Sequence, residues 1–138
     1  MLRGSKFQPL KYDKMMDSER QVAEFLDALG LTWIFESPVY LHDERKRPRL
    51  WTPDFYIPKL RIYIEVCGSK DFNYEYREKI CHDNNISIIY LHFYKKQKYW
   101  QKFLIKKIKE VEEQRHFEAM KVIENLPVEI LDYLEYGS

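Results

Sequence analysis

WTPDFYIPKLRIYIEVCGSK, residues 51–70, decides how the rest of the chain is read. Two runs rich in aromatic and β-branched residues, LWTPDFYI and RIYIEVCG, flank the short connection PKL, which predicts an antiparallel hairpin. Side chains two apart in a strand share a face. Glu65 and Cys67 therefore project together, with Ile64 and Val66 on the opposite side. A tight connection sets Asp54 beside Glu65. Two carboxylates held close repel unless a cation lies between them, and an unpartnered charge inside IYIEVC is costly. Acids kept at such a cost cluster at functional sites. A hard divalent ion, Mg²⁺ or Mn²⁺, takes oxygen ligands, so Asp54, Glu65 and the backbone carbonyl of Val66 are the candidate metal set. Such an ion lowers the pKa of a bound water and neutralises charge on a phosphodiester under attack.

The flanking segments predict an α/β chain. In DSERQVAEFLDALG, Val22, Phe25, Leu26 and Leu29 recur at helical spacing. Ser18 with Gln21 reads as a capping box, and Gly30 as the residue that ends the helix. LTWIFESPVYL predicts one or two strands interrupted at Pro38, and HDERKRPR a polar loop. DFNYEYREKICHDNN predicts a helix with Phe72, Tyr76 and Ile80 on one face, capped by Asp71 or Asn73. ISIIYLHF is apolar enough for a strand buried on both faces. Trp100, Phe103, Leu104, Ile108 and Val111 mark a helix that Pro127 must end, with VEILDYLEY adding a short amphipathic turn or two. The expected organisation is a single domain: a basic arm over 1–16, a core over 17–94 and a helical extension over 95–138.

Charge is unevenly spread. Residues 1–109 carry 21 Lys/Arg against 14 Asp/Glu, net +7, and residues 110–138 carry 2 against 8, net −6. A basic body fits an anionic partner, and so does internal neutralisation by the tail. Arg45, Lys46, Arg47 and Arg49 crowd one loop. Seven lysines and no acid fall between Lys95 and Lys109, among them Lys96, Lys98 and Lys102. These read either as a solvated face or as phosphate contacts, since Lys and Arg that neutralise phosphates dominate nucleic-acid affinity. No run approaches about 18 apolar residues, so no membrane span is expected. MLRGSKFQPLKYDKMM lacks the apolar centre of a secretory leader, and Cys67 and Cys81 have no metal-ligand spacing. Free thiols in the cytoplasm are the expectation.

Pro53-Asp54 followed by Glu65-Val66-Cys67 resembles the motif of the PD-(D/E)xK nuclease superfamily, with Cys67 standing where the motif has lysine. SERQVAEFLDALGLTWIFE is similar to the opening helix and strand of small phage junction-resolving endonucleases, whose first-helix glutamate joins the metal site; Glu19 matches it. The resemblance covers roughly residues 17–94. It implies a restriction-endonuclease-like core, a central mixed β-sheet flanked by helices in the order αβββαβ, followed by C-terminal helices. It also implies Mg²⁺-dependent DNA cleavage, structure-specific or nicking, with Glu19, Asp54 and Glu65 at the centre. Lys79 or Lys70 would replace the missing lysine. Relatives that cut two strands act as dimers, which implies a homodimer. The competing expectation is a degenerate member that binds nucleic acid, or serves a larger assembly, without cutting. Neighbouring carboxylates should keep the Cys67 thiol protonated.

Overall fold

The computed structural model describes residues 14–70, 72–93 and 98–136. Arg3, Lys6, Lys11, Asp71, Lys95 and Lys96 lie outside them. The elements are α1 (Asp17–Ala28), β1 (Ile34–Phe35), β2 (Val39–His42), β3 (Pro48–Trp51), β4 (Phe55–Ile57), β5 (Ile62–Cys67), α2 (Tyr74–Asp83), β6 (Ile88–His92), α3 (Trp100–Glu124) and α4 (Val128–Tyr136). No helix among the described residues is long and apolar enough to cross a membrane. The chain divides into two compact units, one through Leu104 and one from Ile105.

The first unit is an α/β structure on a mixed four-stranded sheet, ordered β1-β4-β5-β6. β1 and β5 flank β4 antiparallel, and β6 runs parallel to β5. The PKL connection makes the expected hairpin, in the register Phe55↔Ile64, Tyr56↔Tyr63 and Ile57↔Ile62. Phe55, Ile57, Ile62 and Ile64 are fully buried, and Trp33 meets the Phe55 ring edge-on at 5.4 Å. Trp100 likewise meets Phe25 at 5.3 Å. Trp100 and Leu104 are buried with this unit, which is why its boundary falls inside α3.

Four local expectations differ from the fold. LWTPDFYI is not one strand: Leu50 and Trp51 end β3, which pairs with β2 in a separate two-stranded sheet, and Phe55 starts β4. Pro53 has no N–H to continue a ladder. HDERKRPR is the turn and start of that inserted hairpin rather than a loop; the four-stranded sheet alone keeps the order helix, three strands, helix, strand. The residue preceding α1 is Met16, whose N–H donates to Glu19 Oε1 at 2.9 Å; Ser18 already lies inside the helix. In α2 the buried residues are Ile80 and Cys81, while Phe72 and Tyr76 are exposed. Asn73 caps it, accepting from the Tyr76 N–H at 3.1 Å. Gly30, at φ 74°, ends α1 as expected, with Leu31 N–H reaching back to the Leu26 carbonyl at 3.0 Å.

The inserted hairpin is built on Asp43. Its N–H donates to the Arg47 carbonyl, Lys46 N–H donates to its carbonyl, and Lys46 takes φ 64°. This is the three-residue turn with one left-handed residue. The Asp43 carboxylate is buried and accepts four bonds: Oδ1 from the Arg45 and Arg47 N–H groups, Oδ2 from the Nε of Arg47 and of Arg49, each at 2.9–3.0 Å. Asp at a turn's first position bonds the backbone two residues on, which is the reason for this residue here. Burial pushes its carboxyl up, but the Arg47 N–H, the Arg49 guanidinium, the Arg45 N–H and the Arg47 guanidinium together outweigh burial and hold it far below the usual range. A carboxylate lower in the folded than the unfolded state contributes stability above about pH 4, lost as pH falls toward the folded value. Urea midpoints measured from pH 5 to pH 2 should therefore fall, and Asp43→Asn should flatten that limb.

The second unit is helical. Lys107–Glu110 and Arg115–Glu112 pair at 3.2 Å along α3. Phe117, Val122, Val128, Tyr133 and Leu134 are exposed.

Candidate acidic site with an arginine partner

Asp54 lies one residue beyond the Phe55↔Ile64 pair, opposite Glu65. Its own N–H donates to Glu65 Oε1 at 3.2 Å, and its Oδ2 accepts the Val66 N–H at 2.7 Å. Just before β4, the pairing toward β5 is thus a side-chain exchange in place of a backbone ladder, which locks both carboxyls to the sheet. Glu19, in the first turn of α1, lies close enough to the Asp54 carboxyl to raise it. The structure thus brings Glu19, Asp54, Glu65 and Val66 together.

Three acids on partly buried backbone create an electrostatic deficit. Burial pushes the Asp54 carboxyl up to about 8; the Glu65 charge adds, the Val66 N–H opposes, and Glu19 adds again. Glu65 is also raised, by burial first, with Arg77 and the Asp54 N–H pulling it down. A cation lies beside them: Arg77, whose Nη1 is 3.5 Å from Glu65 Oε2. Its guanidinium lies over the Trp51 ring at 4.6 Å and the Phe72 ring at 5.0 Å. Two aromatic faces fix the plane of the guanidinium.

Lys79 is not brought to the acids. It is exposed, and two helical steps of about 100° turn it roughly opposite Arg77. Lys70 is exposed beyond the end of β5. The Phe72/Tyr76/Ile80 spacing points another face of α2 inward, whereas Tyr74, Arg77 and Cys81 form the stripe toward β5. Of the other basic residues, Lys98 and Lys102 flank the exposed Tyr99 ring at 5.7 and 5.5 Å, while Arg45, Lys46, Arg47 and Arg49 sit on the hairpin.

Cys67 ends β5, two residues past Glu65. It is 1% exposed, its Sγ lies 3.7 Å from the Glu65 carbonyl, and the Tyr74 phenol is near enough to act on the thiol. Burial pushes the thiol up to about 12; Tyr74 opposes, and Glu65 and Asp54 add. Cys81 is equally buried, and both cysteines are free. Cys67→Lys would press a longer, charged chain against Tyr74. It should lower stability by about 2 kcal/mol, read as a shift in the urea midpoint.

Among the described residues, no group of three or more His, Cys, Asp or Glu side chains is arranged ready to hold a metal ion. The oxygens are engaged instead: Glu65 with Arg77 and the Asp54 N–H, Asp54 with Val66, Glu19 with Met16. No family model matches the sequence, and comparisons with curated proteins and with solved structures find no match either.

Proposed function

We propose that this chain is a Mg²⁺- or Mn²⁺-dependent endonuclease acting on DNA, built on a restriction-endonuclease-like core. The observation that carries the reading is the gathering of Glu19, Asp54 and Glu65 around one strand end with Arg77 facing Glu65. The residues fit a hard divalent cation in chemistry: three carboxylates and the Val66 carbonyl are oxygen donors. The raised proton affinity of Asp54 and Glu65 is the deficit that a cation would relieve.

Asp54 and Glu65 would hold the ion, with Glu19 and the Val66 carbonyl assisting. When bound, it supplies an activated water and neutralises charge on the phosphodiester. The chain's own groups do the positioning. The Val66 N–H fixes Asp54, and the Asp54 N–H fixes Glu65. Arg77, held by Trp51 and Phe72, takes the part assigned to the absent motif lysine and stabilises charge that develops on the phosphate. Cys67, neutral and buried, takes no part. The hairpin arginines with Lys98 and Lys102 contact the nucleic-acid backbone, a homodimer delivers two cuts, and free thiols suit the cytoplasm.

The test is incubation of pure protein with supercoiled plasmid and with a four-way branched DNA, in Mg²⁺, Mn²⁺ or EDTA. Nicked or linear product with either metal and none in EDTA is expected; intact DNA under every condition contradicts the reading. A second reading is a nucleic-acid-binding protein without cleavage. It is favoured by the ligand oxygens already engaged with Arg77 and Val66, and it predicts salt-sensitive binding with intact DNA.

A further inference from the structure

We infer that Arg47 and Arg49, held side by side by the buried Asp43, form a phosphate clamp that leads the nucleic-acid backbone to Arg77, and that Asp43 is its positioning residue. This rests on the proposed nucleic-acid substrate but not on cleavage. Arg47 and Arg49 both spend Nε on the same Asp43 oxygen at 3.0 Å. Each guanidinium keeps its Nη donors, and the two side chains are 52% and 46% accessible. Among the described residues neither meets another carboxylate within ion-pair distance. One carboxylate shared by two arginines leaves a net positive charge with fixed orientation, the geometry that suits planar recognition of phosphate oxygens.

Their place in the fold gives the direction. Alternate residues of a strand share a face and repeat at about 7 Å. Arg49 and Trp51 therefore share a face of β3, Arg47 extends that row by bonding the same Asp43 oxygen as Arg49, and Trp51 lies beneath the Arg77 guanidinium at 4.6 Å, which in turn faces Glu65. The hairpin is anchored to α2. Asn84 exchanges two bonds with the His42 backbone, at 2.9 and 2.8 Å, and Tyr76 donates to Glu44 Oε2 at 2.6 Å. Val39 and Leu41 pack with Ile80 and Cys81. The row of arginines is thus tied to the helix that carries Arg77. Arg45 and Lys46, at the turn, offer charge without this fixing.

The experiment is binding of a fluorescein-labelled 30-base-pair DNA by the full chain in EDTA, across a range of NaCl concentrations. Arg47→Gln/Arg49→Gln should weaken binding at least 10-fold and reduce the salt slope by about 2. Arg45→Gln/Lys46→Gln, with the same loss of charge, should weaken it less than about 3-fold. Arg47→Lys/Arg49→Lys keeps the charge and Asp43's partners, and should still weaken binding several-fold with the slope retained. Asp43→Asn is the sharpest arm. It adds one net positive charge, so an undifferentiated basic patch would bind tighter, whereas a clamp that needs its anchor binds about 3- to 10-fold more weakly. Equal losses from the two Gln pairs, tighter binding by Asp43→Asn, wild-type affinity of the Lys pair, or equally tight binding of polyglutamate would each overturn the clamp. Absence of metal-dependent cutting alongside the expected binding pattern would remove the nuclease and leave the clamp standing.

Discussion

Asp54→Asn is expected to do two things at once: reduce metal-dependent cleavage by at least about 1,000-fold, and raise the stability of the metal-free protein by about 2 kcal/mol. The two follow from one cause. Asp54 is pressed against Glu65 and Glu19 in partly buried surroundings, and it holds its proton more tightly folded than unfolded. Such a group's stability contribution is fully present below about pH 4 and is lost as pH rises through about 8. At neutral pH the wild-type protein therefore carries a strain that the neutral amide does not. Urea unfolding in EDTA at pH 7 reads the gain in stability, and its pH dependence should flatten in the variant. A structural acid behaves in the opposite way, losing stability when neutralised, so a fall in the urea midpoint would remove Asp54 from the site.

Arg77→Gln is expected to lower cleavage by about 100-fold and stability by about 2 kcal/mol. The side chain is the one cation described beside the acids, at 3.5 Å from Glu65 and stacked against Trp51 and Phe72. Its removal leaves Glu65 partly buried with no counter-charge, and strips the phosphate of its positive partner. Arg77→Lys restores the charge but not the planar stack, and should recover about 10-fold of the lost rate. Lys79→Gln, on the outer side of the same helix, should leave the rate within about 2-fold, as expected of an exposed residue away from the centre. The pair of variants is read by single-turnover cleavage of the same plasmid; a larger effect at Lys79 than at Arg77 would reverse the assignment.

What the chain discloses unaided follows its strongest local patterns. The stripe Val22, Phe25, Leu26, Leu29 and the closing Gly30 describe α1, and PKL with its two β-rich flanks describes the β4–β5 hairpin. From that hairpin alone Asp54 and Glu65 fall side by side. The inserted hairpin escapes because its exposed strand carries Pro48, Arg49 and Leu50, with no alternation of apolar and polar residues to mark it. Its cause is Asp43, a single acid in a basic stretch, whose four hydrogen bonds are visible only once the turn is folded. Arg77 escapes for a different reason. Its neighbours Phe72 and Tyr76 are large and apolar enough to suggest the inward face, yet they stay exposed. Tyr76 is held outward by Glu44, and Phe72 by its place over the guanidinium.

The central claim is that Glu19, Asp54 and Glu65 are kept together at a cost because a divalent cation belongs among them. Calorimetric titration of Mn²⁺ into the metal-free wild-type protein and into Asp54→Asn tests this most directly. The account predicts one ion bound per chain by the wild type, a rise in unfolding temperature as the ion saturates, and loss of both in the variant. Absence of binding at millimolar Mn²⁺, or the same binding in Asp54→Asn, would contradict it.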